Sequence, residues 1–492
     1  MNNRKNFISA LIYQAVAMIQ GLILPRLIIA TFGSDVNGLV SSITQFLSFI
    51  SLLEGGLGAV VLAELYRPIE DEDLEKIKSI LYSCKRLFRQ LAYIYVAFTI
   101  IIAIGYPLFI SKRFSFSFVS SLTLILSIST LGQYLFAISN KLLLQATQKI
   151  YIVNYICSGT LVLNILISVT LIYMYPQIHV IKLFSGLIFL LQPVLFNCFI
   201  DKRYICKGTS FDKKYVLKNR WSGFAQNLAY FINMNTDIAL VTIFLGITNV
   251  SVYTIYMLAI NALRQIISNA AISYQSALGK YYAIGNKDDL LKKFEKFELV
   301  TLGISLVLYC TCLQLINPFV SLYTKGVTDA DYYQPVFALI MILANMLYCI
   351  REPYRIMIFA AGKFKETNFG SMVEAGLNIV ISLILVSIYG LVGIAIGTLI
   401  AILYRYIYFI VYLNKSILKR STIRRYIKLF FEIIIVYSIN MVYYYKFKIN
   451  IAIFLNFGID GVITVAAEVV IVLLVYLLGE IISKLFRIKN IM

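Results

Sequence analysis

Long apolar runs, separated by short charged or turn-forming segments, occupy nearly the whole chain. Most runs reach the roughly 20 residues that an α-helix needs to cross the hydrocarbon core of a bilayer. Because an open sheet cannot satisfy its backbone hydrogen bonds in lipid, every run is interpreted as a helix. We therefore predict an all-α integral membrane protein with about 14 transmembrane helices. The predicted spans cover residues 6–32, 37–62, 87–110, 116–140, 152–174, 179–200, 220–245, 250–278, 296–322, 334–358, 367–388, 391–413, 425–445 and 452–483.

The composition agrees with a membrane environment, since 60% of the residues are hydrophobic and a soluble domain could not bury that fraction. The formal net charge of +20 is divided among short loops rather than gathered on one surface. It therefore indicates membrane topology and attraction to anionic lipid head groups, and it does not favour nucleic-acid binding.

The distribution of lysine and arginine predicts the orientation. With the N-terminus placed in the cytoplasm, every loop obeys the positive-inside alternation, and both termini are expected to be cytoplasmic. The predicted outer loops hold few basic residues, which are Lys112, Arg113, Lys182, Lys325, Lys446 and Lys448.

The two halves of the chain repeat each other at an offset of about 214 residues. The segment 146–168 aligns with 360–382, so that Lys149 corresponds to Lys363 and Asn164 to Asn378. Six spans in each copy predict two parallel six-helix lobes, an arrangement typical of transporters. The expected domains are residues 1–205 and 215–415, followed by two appended helices in residues 420–492.

Charged residues inside the predicted spans are the strongest functional signal, because they are costly in lipid and should face the protein interior or a water-filled cavity. These residues are Arg26, Glu54, Asp237, Arg264, Arg351, Glu352, Arg355, Glu374, Arg405, Glu432, Asp460 and Glu468.

Four arginines are the candidate substrate contacts. Arg264 lies about halfway along its span, where it either lines a cavity for an anionic ligand or neutralises a carboxylate such as Asp237. Arg26 follows a proline in the first span, and snorkelling to the outer surface is an equal alternative. Arg351 and Arg355 are four residues apart and suit a phosphate, which arginine binds in bidentate fashion. The alternative is that Arg351 pairs with a glutamate and Arg355 lies at the inner interface.

No motif for catalysis is recognised. There is no phosphate-binding loop, His179 is the only histidine, and the cysteines are scattered without metal-ligand spacing. The outer loops are too short to build a catalytic face, so we expect a transporter that is not an enzyme and that has no cofactor or metal.

The segments that include "GLILPRLIIATFGSDVNGLV" (21–40), "LEGGLG" (53–58) and "AAGKFKETNFGSMVEAGLNIVISLIL" (360–385) resemble a known family. With the twelve-plus-two layout, they resemble the O-antigen and capsule repeat-unit flippases of the multidrug/oligosaccharidyl-lipid/polysaccharide exporter superfamily. The resemblance extends over essentially the whole chain.

The resemblance implies two lobes around a central cavity and alternating access in a bacterial cytoplasmic membrane. The passenger would be a polyprenyl-diphosphate-linked oligosaccharide, moved from the inner to the outer leaflet. Besides this lipid-linked glycan and membrane lipids, the expected partners are a polysaccharide polymerase and glycosyltransferases. Family members are generally driven by protons or sodium, and Asp237 and Glu54 are the candidates for ion coupling. For Glu54, a role in packing and hinge motion beside its glycines is the alternative.

Two other functions stay open at this level. An ion-coupled multidrug exporter of the same superfamily would need an acidic cavity, which the arginines within the spans disfavour. A membrane polysaccharide polymerase is disfavoured by the short outer loops.

Overall fold

The computed structural model describes residues 3–54, 57–110, 113–200, 212, 215, 231, 235–285, 287–363, 365–418 and 454–489. Every regular element among these residues is helical, and 11 helical segments are long and apolar enough to cross a membrane. The predicted all-α membrane fold is confirmed. The count of 14 spans and the cytoplasmic termini stay predictions. The thirteenth predicted span, Glu432 within it, and Gly55 and Gly56 of the "LEGGLG" element lie outside the described residues.

The chain divides into two compact units, Met1–Asn235 and Thr236–Met492. The boundaries predicted near residues 205, 215 and 420 fall on or beside segments outside the described residues, so the predicted domain limits stay predictions. The helices of the first unit are α1 (Asn3–Ser48), α2 (Ser51–Glu54), α3 (Leu57–Glu70), α4 (Leu74–Ile110), α5 (Phe116–Gly132), α6 (Ile138–Ala146), α7 (Ile150–Met174), α8 (Ile178–Phe189) and α9 (Leu191–Phe199).

Helix α1 contains parts of two predicted spans, and Gly33 divides them. The residue adopts φ 83° and ψ 172°, a conformation that side chains other than glycine rarely adopt. The chain therefore bends at Gly33 while helical hydrogen bonding resumes directly after it. The first part of α1 packs along α7. Its start is fixed there by Asn6, which accepts a hydrogen bond from the backbone N–H of Tyr151 at 3.1 Å.

The second unit contains α10 (Asn235–Leu245), whose first residue belongs to the first unit, and α11 (Ile247–Ile272). The remaining helices are α12 (Gln275–Ile284), α13 (Lys287–Tyr323), α14 (Pro335–Ile350), α15 (Glu352–Ala360), α16 (Asn368–Tyr389), α17 (Leu391–Tyr412) and α18 (Phe454–Lys489). Helices α12, α13, α15 and α17 enclose an apolar core around Phe294, Phe297, Met357 and Phe409.

The hairpin of α16 and α17 is packed unusually closely, and glycines make this possible. Gly390 turns the chain with φ 57° and ψ −131°. A Cβ added at Gly393 would overlap the backbone of Leu385, and one added at Gly397 would overlap Ser382. Small residues four apart allow such close approach of helices in membranes. As a result, Thr398 is carried directly against the polar residues of α16.

Candidate functional site

The break between α14 and α15 is the centre of the buried charge in the second unit. Pro353 has no N–H to continue the helical ladder, and it lies at the start of α15. Arg351 occupies the junction, where it ends one helix and precedes the next. The residue is only 5% exposed, and Glu352 beside it is 0% exposed. Charges buried to this degree must be paired, because an isolated ion in an apolar interior is very costly.

Glu374 on α16 is the acceptor that two buried arginines share. Nη1 of Arg351 lies 2.5 Å from its Oε1, and Nε of Arg405 lies 3.6 Å from its Oε2. Arg405 also donates to the carbonyl oxygen of Thr367 at 3.0 Å and to Oγ of Ser371 at 2.5 Å. The absence of a side chain at Gly370 leaves room for the Arg405 guanidinium. This arrangement connects α14, α16 and α17 by charge-assisted hydrogen bonds.

Two further carboxylates have partners at the same break. Glu352 accepts two hydrogen bonds from Arg355, from Nε at 2.9 Å and from Nη2 at 2.7 Å. Glu298 on α13 accepts a hydrogen bond from the hydroxyl of Tyr354. The structure therefore places Arg351 and Arg355, both predicted to contact substrate, against separate carboxylates. This is the alternative that the sequence left open for Arg351.

Arg264 has different surroundings. It lies at the middle of the apolar segment Ile247–Tyr282 and is half-buried. Its Nη1 donates a long hydrogen bond of 3.4 Å to Oδ1 of Asn345, and its Cζ lies 5.2 Å from the ring centroid of Tyr348. Among the described residues, no carboxylate lies within ion-pair distance of Arg264. Asp237, its predicted alternative partner, acts on Arg264 only at longer range. Within the described part of the chain, the charge of this guanidinium is therefore not balanced by a carboxylate in direct contact.

Asp237 belongs to a separate polar group formed by α10, α11, α16 and α17. Its Oδ2 accepts hydrogen bonds from the hydroxyls of Tyr253 and Thr398, both at 3.0 Å. Nδ2 of Asn378 donates to Oγ1 of Thr398 at 3.0 Å. Oδ1 of Asp237 and Oδ1 of Asn378 are both buried and have no hydrogen-bond partner among the described residues. Carboxylate, amide and hydroxyl oxygens are the ligands that hard cations prefer, so the group is suited to a small cation or a proton.

The two candidates of the first unit lie on different helices. Arg26 is half-buried on α1, directly after Pro25. Glu54 ends α2, and its Oε2 accepts a hydrogen bond of 3.4 Å from the hydroxyl of Tyr134. The roles predicted for both residues stay predictions.

Asn345, Tyr348 and Thr398 were not among the site residues predicted from the sequence. A signal for the first two was present, because Asn345, Tyr348 and Arg351 are spaced by three residues and thus share one side of a helix. Thr398 carried no such signal, since its proximity to Asp237 depends on how α17 packs.

No protein-family model matches the chain, and no curated protein matches it in sequence. Solved structures, in contrast, share its fold. The structure titled "Lipid II flippase MurJ, inward closed conformation" has a TM-score of 0.69 at 17% identity, covering 99% of this chain and 99% of that chain.

Transporters of the MATE family share the fold over less of the chain. An inward-facing multidrug resistance MATE transporter of the MOP superfamily has a TM-score of 0.60 at 17% identity, covering 85% of this chain and 99% of that one. The MATE multidrug transporter DinF-BH has a TM-score of 0.58 at 17% identity, covering 84% of this chain and 95% of that one. Both kinds of protein belong to the MOP exporter superfamily, so the resemblance stated from the sequence is confirmed at the level of the fold.

Proposed function

We propose that this membrane protein is a flippase that moves a polyprenyl-diphosphate-linked oligosaccharide, a polysaccharide repeat unit, from the inner to the outer leaflet by alternating access. The observation that carries the proposal is Arg264, a cation at the middle of an apolar span that has no carboxylate in contact among the described residues. Burial of such a charge costs about 2.5–3.5 kcal/mol on insertion scales, and a diphosphate passenger would offset that cost.

The extent of the fold supports a flippase over a drug exporter. The lipid II flippase covers 99% of this chain, whereas the MATE transporters cover 84% to 85%. The twelve-plus-two layout predicted from the sequence agrees with the longer match. A multidrug exporter of the same superfamily is the alternative, and the unbalanced arginine is the feature that it explains less well.

Asp237 supports an ion-coupled cycle within this proposal. Its unpartnered Oδ1 lies in a group with the unpartnered Oδ1 of Asn378 and the hydroxyls of Thr398 and Tyr253. We infer that this group binds the coupling ion, while Arg264 contacts the diphosphate. The two sites would then lie in one unit and share α11, which contributes both Tyr253 and Arg264.

Glycan export in cells tests the function. In a strain that lacks the chromosomal gene, the wild-type protein should restore the surface polysaccharide, and Arg264→Ala should not, at equal protein level in the membrane. Arg67→Ala is the control for loss of an arginine, because that side chain is 90% exposed and, among the described residues, forms an ion pair only with the exposed Asp71. Normal surface polysaccharide in the deletion strain itself would overturn the assignment to polysaccharide export. Normal export by Arg264→Ala would overturn the role of the arginine.

A further inference from the structure

A mid-membrane arginine that binds a diphosphate needs its guanidinium held in place. The free side chain has about 2 kcal/mol of rotamer entropy, which weakens binding unless the side chain is ordered beforehand. The other arginines described within the spans of the second unit, Arg351, Arg355 and Arg405, contact carboxylates. For Arg264 the contacts come from two uncharged residues one turn apart on α14, Asn345 and Tyr348.

The amide of Asn345 is itself oriented. Its Nδ2 donates to the carbonyl oxygen of Met341 at 2.9 Å, one turn earlier on the same helix. Because the NH₂ group is used in this way, the Oδ1 atom is the one that faces Arg264. Asn345 is 2% exposed, so packing also limits its rotamers. The acceptor for Arg264 is therefore fixed before any ligand arrives.

The ring of Tyr348 is contacted by a second arginine. The Cζ atom of Arg351 lies 4.3 Å from the ring centroid, and that of Arg264 lies 5.2 Å from it. Arg351 is in turn held by Glu374. A chain of contacts thus extends from the buried ion pair through an aromatic ring to Arg264. An aromatic ring attracts a guanidinium without neutralising its charge.

We infer that Asn345 and Tyr348 are positioning residues, which orient Arg264 while leaving its charge available for the diphosphate of the passenger. This inference rests on the proposed function of Arg264. An aspartate at position 345 would have nearly the same shape as asparagine, but it would form a buried ion pair with Arg264. The uncharged amide is therefore the feature that keeps the arginine competent for an anionic ligand.

Binding of undecaprenyl diphosphate to the purified full-length protein in detergent tests the inference. We expect Asn345→Asp to weaken binding about tenfold or more, since the introduced carboxylate competes with the diphosphate. Tyr348→Leu should weaken binding about tenfold by releasing the guanidinium. Tyr348→Phe keeps the aromatic ring and should bind within about twofold of the wild type, because the ring and not the hydroxyl contacts the guanidinium.

The Tyr348→Leu substitution in an Arg264→Ala background separates positioning from general damage. There, Tyr348→Leu should not weaken binding further, since no guanidinium is left to position, and unfolding temperatures measured alongside should show that each variant is folded. If Asn345→Asp does not fold, the difference in affinity between Tyr348→Leu and Tyr348→Phe still tests whether the ring positions Arg264. If Asn345→Asp and Tyr348→Leu both bind with wild-type affinity while Arg264→Ala binds weakly, the positioning role is overturned and the proposed role of Arg264 stands. Absence of binding by the wild type would instead overturn the proposed function.

Discussion

Gly33 in the first unit and Gly246 in the second have almost the same backbone conformation, with φ and ψ of 83° and 172° in one and 84° and 170° in the other. The turns before α7 and α16 also agree. Gln148 and Gly362, at an offset of 214 residues, both have positive φ, 57° and 70°. The backbone N–H groups of the following lysines each donate to a carbonyl five residues earlier, Lys149 to Leu144 and Lys363 to Ile358. The backbone of the two units thus agrees at these two glycines and at these two turns.

The buried charges are not repeated. At the same offset, Ala137, Ile138, Thr160 and Leu191 of the first unit correspond to Arg351, Glu352, Glu374 and Arg405 of the second. At one of these positions the first unit has a hydrogen bond between uncharged side chains, in which Gln192 donates to Thr160 at 2.8 Å. Matching turns with a different set of buried charges indicate that the units share local backbone features and differ in their chemistry. We therefore propose that ligand binding belongs chiefly to the second unit.

Removal of the shared acceptor should produce the largest effect on stability. In Glu374→Ala, two guanidiniums stay buried without their carboxylate, and the free energy of unfolding should fall by about 3–5 kcal/mol. Thr160→Ala, at the corresponding position of the first unit, removes two neutral hydrogen bonds, one from Gln192 and one to the carbonyl oxygen of Cys157, and should cost about 1–2 kcal/mol. Denaturant unfolding in detergent measures both. Equal losses for the two variants would contradict the difference between the units.

Ion binding should also distinguish the units. If Asp237 binds the coupling cation, sodium at 100 times its dissociation constant stabilises the protein by about 2.7 kcal/mol. Choline at equal ionic strength should not. Asp237→Asn should abolish this sodium-dependent rise in the unfolding temperature, whereas Glu54→Gln in the first unit should keep it. If Asp237→Asn keeps the sodium-dependent rise in unfolding temperature and Glu54→Gln loses it, the ion site belongs to Glu54 and not to Asp237. A proton as the coupling ion predicts no sodium effect in any variant and a pH dependence of stability that is smaller in Asp237→Asn than in the wild type.

The matched turns allow a smaller test of the repeated backbone. Gln148 adopts a left-handed conformation that costs a residue other than glycine about 1–2 kcal/mol. Glycine lowers this strain but loses about 0.5–1 kcal/mol in conformational entropy, so Gln148→Gly should stabilise the first unit by up to about 1 kcal/mol. Gly362→Gln should destabilise the second by a similar amount. Effects of the same sign would show that the turns are not equivalent.

Hydropathy was sufficient to predict the helices because each span must satisfy its own backbone in lipid. It also identified Arg264 and Arg351 as buried charges. It could not distinguish their partners, since Glu374 reaches Arg351 only through the packing of α16 against the end of α14. The partners of Asp237 could not be predicted for the same reason. Thr398 contacts Asp237 because Gly393 and Gly397 let two helices approach closely. The spacing of residues along the chain does not indicate such a contact.

Translocation by the purified protein tests the role of Arg264 most directly. In proteoliposomes loaded with a polyprenyl-diphosphate-linked oligosaccharide, the rate at which the glycan becomes accessible to an external glycosidase reports flipping. We expect Arg264→Ala to flip the glycan at least about 30-fold more slowly, since truncating a buried charged contact costs about 2–5 kcal/mol. Arg67→Ala, which removes an exposed arginine, should stay near the wild-type rate. A wild-type rate for Arg264→Ala, or equal losses for the two variants, would contradict the proposed role of Arg264.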